Sequence, residues 1–170
     1  MRLKKFLIFA FVIINFFGIN QSYSIEPDVF VQSTVNRASE ALNNKYSKEE
    51  KIEKLKQIAS ETVDINGIGY YTLGAYRKNI NEDQKKEYSN LFEQYFLKSF
   101  ASRLAEYSNP EIEVVSKKKL NENYTMVSSI LVGTEQRPEV KIDWRIYTKN
   151  LENPLIRDLI IEGLSLARTQ

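Results

Sequence analysis

The 170-residue chain contains no histidine and no cysteine. That removes Ser-His-Asp and Cys-His nucleophiles, and with them the nitrogen and sulfur ligands of ordinary zinc sites. Gly67, Gly69 and Gly74 are not spaced as a phosphate-cradling loop. Carboxylates, lysines and tyrosines are left to do chemistry. Asp143, Tyr147 and Tyr95 are the groups from which an acid–base site would be built. Such a site needs a carboxylate driven into a pocket with a raised pKa. Asp143 alternates with apolar residues and shares its side with Lys141 and Arg145, which argues against a pocket position. No spacing in the sequence singles out a catalytic pair.

The stretch Tyr88–Phe100, YSNLFEQYFLKSF, points to a different chemistry. Its rings are Tyr88, Phe92, Tyr95, Phe96 and Phe100. At helical spacing they span about 140° of one face, and Leu91 and Leu104 widen the apolar arc to roughly 220°. An ordinary surface helix shows a stripe nearer 100° wide. A helix of this kind is wrapped on more than one side, by the sheet on one flank and by other helices or an enclosed ligand on the other. Core packing alone is the more common use of such rings.

The rest of the chain supplies the elements that would hold this helix. Pro27 suits a first helical position, and Val31, Val35, Ala38 and Leu42 recur on one face until Asn43-Asn44. Ser47 and Glu50 form a capping box ahead of Ile52, Leu55, Ile58 or Ala59, and Thr62. Asp64 caps a third, short helix with Ile65, Ile68, Tyr71, Thr72 and Ala75 on one side. Asn81 and Gln84 open the long aromatic helix, expected from Glu82 to Tyr107 and stopped by Asn109-Pro110.

Beyond Pro110 the period falls from 3.6 to 2. Ile112 and Val114 alternate with Glu111 and Glu113, Asn123 to Val132 is rich in strand formers, and Val140, Ile142, Trp144 and Ile146 alternate with polar residues. Leu155 to Leu164 reads as a fourth strand. Short polar links between consecutive strands make antiparallel hairpins. Helices followed by strands predict an α+β fold, with N-terminal helices packed on a curved four-stranded antiparallel sheet. In the second strand Ser128 and Ser129 stand among Met126, Val127, Ile130 and Leu131. Small residues opposite a wide aromatic helix leave room for an apolar cavity.

The N-terminus reads as a secretory signal peptide over residues 1–24. Arg2, Lys4 and Lys5 precede an apolar run from Phe6 to Ile19, and Ser22-Tyr23-Ser24 offers a cleavage site. The apolar run is short for a membrane span. Residues 25–170 then form one domain, large enough to bury a core without disulfides. Taking those three cations from the 24 basic residues leaves a net charge of about −1 against 22 acidic ones, so no polybasic footprint for nucleic acid remains.

The order of motifs has a counterpart. VDINGIGYYTLGAYRKNI (residues 63–80), followed by NEDQKKEYSNLFEQYFLKSFASRLAEYS (81–108), resembles the central motif of the MlaC family, the periplasmic phospholipid-binding or toluene-tolerance proteins. Leu73-Gly74, Tyr76 and the Tyr107-Ser108 end of the helix take part in the match. So do Val140–Ile146 and the Ile156–Leu166 run, with its Asp158 and Glu162-Gly163. The resemblance covers about residues 27 to 168.

It implies a monomeric periplasmic phospholipid carrier and no enzyme. It implies no cofactor, with phospholipid as cargo. The partners implied are an outer-membrane lipoprotein complex and an inner-membrane ABC transporter with a lipid-binding periplasmic subunit, in a system that maintains outer-membrane asymmetry. The alternatives are a cavity enzyme using carboxylate or tyrosine chemistry, and an envelope adaptor holding a peptide. The family's chains usually continue past the Glu-Gly-x-Ser strand, so a C-terminal helix is expected to be missing here. On this reading the pocket is lined by Leu73, Phe92, Phe96, Phe100, Leu104, Val127, Leu131, Trp144 and Ile146, with Arg103 and Arg145 at the head group.

Overall fold

The computed structural model describes residues 24–168. The expected leader falls, but for Ser24, outside the described residues. Helix α1 (Pro27–Ala41) starts with proline at its first position and buries Val31, Thr34 and Val35. Its N-terminus is tied to the sheet by Lys117, whose Nζ lies 2.7 Å from Glu26 and 2.8 Å from Asp28. Helix α2 (Lys48–Thr62) carries the reciprocal capping box of Ser47 and Glu50 and buries Leu55, Ala59 and Thr62.

Helix α3 (Ile65–Thr72) is capped by Asp64, whose carboxylate accepts from the Gly67 N–H at 2.8 Å. Ile65, Ile68 and Gly69 are buried, but Tyr71 and Ala75, expected on the same side, are exposed. The helix ends at Thr72, and Gly74, at φ +53, leads into a 3-10 turn over Gly74–Lys78. That change of direction removes Ala75 from the helical face.

Helix α4 (Glu82–Leu104) opens on a capping box of Asn81 and Gln84. It stops short of Tyr107. The Glu106 and Tyr107 N–H groups donate to the carbonyls of Arg103 and Leu104 in tighter i→i−3 bonds, the usual contraction of a last turn.

Strands β1 (Ile112–Lys119), β2 (Tyr124–Leu131), β3 (Val140–Tyr147), β4 (Leu155–Ile161) and β5 (Leu164–Ser165) form one antiparallel sheet in sequence order. The sheet therefore has five strands, where four were expected. The run from Leu155 to Leu164 is not one strand. Glu162 at φ +49 and Gly163 at φ +83 form a two-residue turn, and Leu164 and Ser165 fold back to pair with Ile161 and Ile160. Two positive φ values in a two-residue loop are what the right-handed strand twist prefers. Register shifts between Val114 and Ser116, and beside Arg145/Ile146 opposite Arg157, add local bend to the sheet.

The helices cover one face of this sheet. Val127, Leu131, Ile142, Trp144, Ile146 and Ile156 meet Val31, Val35, Ala59, Val63, Ile65, Ile68 and Phe92 in the main core. A smaller cluster of Ala41, Leu42, Leu55, Ala101 and Ala105 joins α1, α2 and the end of α4. Trp144 finds its polar partner within the sheet: its indole N–H donates to Ser129 Oγ at 2.7 Å, and that hydroxyl points on to the Ile142 carbonyl at 3.3 Å. Ser129, fully buried, thus serves a neighbour instead of leaving space. A buried indole N–H without such a partner would cost about 1–3 kcal/mol.

Candidate functional site

The rings of α4 form a ladder. Tyr88 and Phe92 stack with centroids 5.8 Å apart, Phe92 and Phe96 at 6.1 Å, and Phe96 and Phe100 at 5.4 Å. Residues four apart lie one above another on a helix, and near-parallel aromatic pairs at these distances are favourable. The wide apolar arc is only partly covered, because Leu91 is 59% and Tyr95 58% exposed.

What faces the ladder changes along its length. Phe92 meets α3, where the absent side chain of Gly69 leaves room for its ring. Further down, Phe96 and Phe100 border an apolar cleft with Ile156 and Leu159 of β4 opposite them. Val63 and Ile68 close one end of the cleft, Leu166 and Ala167 another, and Ser99 and Arg103 continue the α4 wall. The Val63 end is anchored to β4 through a parallel bridge to Ile156, and the Asp64 N–H donates to the Ile156 carbonyl at 2.9 Å. The cleft measures about 80 Å³. Sites for drug-sized ligands are typically ~300–1,000 Å³, so a lipid tail can enter only if the walls part.

One carboxylate borders the cleft. Asp158, 3% exposed, accepts from Ser165 Oγ at 2.6 Å and from the Ala167 N–H at 3.0 Å. Arg145 Nη1 stands 3.9 Å away. These bonds hold the final turn, a 3-10 helix over Leu166–Arg168, against β4. Acid–base candidates do not gather here. Tyr95 lines the cleft, but Asp143 and Tyr147 alternate with the buried Ile142, Trp144 and Ile146 and so occupy the other face of β3. Asp143 accepts from Ser128 Oγ at 2.6 Å and pairs with Lys141 at 3.3 Å. Tyr147 packs on Tyr124 with centroids 5.4 Å apart.

The carboxyls with displaced pKa lie elsewhere. Asp28 is lowered by its hydrogen bond from Lys117, Glu50 by the Ser47 backbone N–H, Glu61 by Arg37 and Glu106 by Lys48. Among the described residues no cluster of acidic side chains is placed to hold a metal ion.

Of the residues expected to line a pocket, the structure brings Phe96, Phe100 and Arg103 to the cleft. Phe92, Val127, Leu131, Trp144 and Ile146 are buried in the main core. Leu104 packs in the smaller cluster, and Leu73, half-buried, caps the end of α3. Arg145 borders a separate polar cavity beside the cleft. Val63, Ile68, Ser99, Ile156, Asp158, Leu159, Leu166 and Ala167 also line the cleft and were not expected there. Ser99 is legible in principle, since Phe96, Ser99, Phe100 and Arg103 are spaced as one helical face. The β4 residues are not, because the extra residue at Arg157 shifts which side chains face inward.

A family model for the MlaC protein matches residues 32–170. The chain belongs to the MlaC family. Its fold is shared with a solved phospholipid-binding protein from Ralstonia solanacearum, in complex with a phospholipid, at a TM-score of 0.69 and 16% identity, over 85% of this chain and 82% of that one. A search of curated proteins finds no match. For this MlaC-family chain, no helix among the described residues is long and apolar enough to cross a membrane.

Proposed function

We propose that this chain is a periplasmic phospholipid carrier. After removal of a leader ending at Ser24, one domain over residues 25–170 would take lipid between an outer-membrane lipoprotein complex and an inner-membrane ABC transporter. No bond is made or broken, so the protein needs neither nucleophile nor cofactor. The observation that carries this reading is the cleft itself: a wall of stacked rings, Phe96 and Phe100, set against Ile156 and Leu159 and closed by a short C-terminal turn. Membership of the MlaC family supports it, as does the phospholipid bound in a structure of the same fold.

Acyl chains enter as α4 or the Leu166–Arg168 turn draws away from β4. Burial of tail surface, at about 25 cal/mol per Å², opposes the cost of parting these walls. Phe96, Phe100, Ile156 and Leu159 then contact the chains, and Arg103, exposed at the end of the α4 wall, faces the solvent side.

The test is native mass spectrometry on the full chain expressed with its own leader and recovered from a bacterial periplasm. One co-purifying diacyl phospholipid per monomer is expected. A folded, lipid-free protein that also takes up no lipid from vesicles would refute the carrier reading. A peptide in the cleft would favour an adaptor instead, and turnover of an added substrate an enzyme.

A further inference from the structure

At about 80 Å³ the cleft is closed, and a lipid tail needs one of its walls to part. The two walls that could do so are held very differently. Helix α4 is fixed along its length. Tyr88 shares a hydroxyl bond of 2.8 Å with Thr72 of α3, Phe92 fills the space over Gly69, and Ala101 and Ala105 pack with Leu42 and Leu55. Moving α4 would open both cores.

The other wall is the strap from Leu164 to Arg168, which sets Leu166 and Ala167 over the cleft. None of its residues is buried, and Leu164 is 68% exposed. Its ladder with β4 pairs Ile161 with Leu164 and Ile160 with Ser165. Segments with so little buried apolar surface open far more readily than a core. The base of the strap is firm. The Glu162 N–H donates to the Lys141 carbonyl at 3.1 Å, and the Glu162 carboxylate accepts from the Lys141 N–H at 2.6 Å. Gly163 follows at φ +83, where an added Cβ would meet nothing within 4 Å. An anchored residue followed by an unhindered glycine makes a pivot.

Asp158 keeps the strap down. Its carboxylate, 3% exposed, accepts from Ser165 Oγ at 2.6 Å and from the Ala167 N–H at 3.0 Å. Hydrogen bonds to an ionised group are among the stronger ones. Both bonds belong to the closed cleft, which is too small for a tail.

We propose that Asp158 latches the lipid-free state: the strap swings about Gly163 to admit lipid, α4 stays in place, and the latch competes with the lipid. This rests on the carrier reading above. The consequence runs against intuition. A bond that opposes the binding-competent state weakens apparent affinity in proportion to the fraction of molecules left competent. Loosening the latch therefore tightens lipid binding while it lowers stability. Loss of a residue that touches lipid, or that only supports the fold, would weaken binding or leave it unchanged.

The test titrates the full chain, freed of lipid by detergent exchange, with vesicles of dioleoyl phosphatidylcholine. Occupancy is read by native mass spectrometry and stability by urea unfolding. Ser165→Ala removes one latch bond and should half-saturate at about tenfold less lipid than wild type, with a urea midpoint no higher. Ser165→Thr keeps the hydroxyl and should stay within about twofold of wild type. Gly69→Ala disturbs the packing of α4 on α3 and should bring no gain in binding.

Unchanged or weaker binding by Ser165→Ala would overturn the proposal and leave the carrier reading standing. An equal gain in Ser165→Thr would overturn it too, since the hydroxyl bond would then not be the latch. So would an equal gain in Gly69→Ala, which would make α4 the moving wall. Lipid uptake by Ser165→Ala and not by wild type would support it, and uptake by neither would remove the carrier reading as well.

Discussion

A methyl group added at Gly69 tests how closely α3 and α4 are packed. Built on the backbone, the Cβ would lie 2.7 Å from Phe92 Cδ1 and 3.0 Å from Cγ. Carbon contacts settle near ~3.5–4.0 Å, so the ring must move by about 1 Å. Phe92 has little freedom to do so, being 8% exposed and stacked between Tyr88 and Phe96. Two terms oppose each other. Replacing glycine by alanine within a helix gains ~0.8–1 kcal/mol, and overpacking a core contact costs ~1–3 kcal/mol. Gly69→Ala alone should therefore lower stability by about 0–2 kcal/mol. In a Phe92→Ala background the clash is gone, and the same change should raise stability by ~0.8–1 kcal/mol. The difference between the two backgrounds is the coupling energy of the contact. Urea unfolding followed by the fluorescence of Trp144, the single tryptophan, measures all four proteins. A gain of the full helical increment in the wild-type background, or an equal loss in both, would refute the steric argument.

Three further outcomes are expected. Trp144→Phe removes the 2.7 Å bond to Ser129 and should cost ~1–3 kcal/mol in urea unfolding followed by circular dichroism, through loss of that bond and of indole packing, although the hydroxyl keeps its bond to the Ile142 carbonyl; an unchanged midpoint would contradict that pairing. Phe96→Trp, at the cleft, should lower lipid occupancy in native mass spectrometry with the fold intact, whereas Leu131→Trp, in the main core, should cost ~1–3 kcal/mol by overpacking; reversed behaviour would move the binding site. The Lys117 clamp has a pH signature. Its hydrogen bond lowers the Asp28 pKa from 3.8, so its contribution is complete above that value and is lost as pH falls through the lower folded-state value. The gap in urea midpoint between wild type and Lys117→Met should accordingly be larger at pH 7 than at pH 3; an equal gap would show that Asp28 titrates alike in both states.

Much of the framework is legible locally. Ser47 with Glu50, and Asn81 with Gln84, mark helix starts because each box satisfies backbone donors within four residues. The alternation of Val140 to Ile146 marks a strand because successive side chains point to opposite faces. The fifth strand is hidden in the sequence although Glu162-Gly163 is a local turn, because the apolar run on either side of it reads as continuous. The role of Ser129 is not legible in the sequence, because it depends on Trp144, fifteen residues away in sequence and adjacent across the sheet.

The sequence by itself determined that this protein breaks no bond by histidine or cysteine chemistry, that helices precede a meander of strands, and that α4 carries more aromatic surface than one neighbour can cover. All three depend on residue type and spacing along a single element. Only the tertiary structure decided which rings serve the cleft. Phe92, Phe96 and Phe100 follow one another at four-residue spacing along the same broad face of the helix, and what separates their roles is what stands opposite: Gly69 close against the first, and Ile156 and Leu159 across a gap from the other two. Asp158 became the anchor of the final turn for the same reason, since a bulge at Arg157 and a reversal at Gly163 brought Ser165 and Ala167 back onto it. Helical and strand periods are properties of one segment, and a cleft is a property of the distance between two.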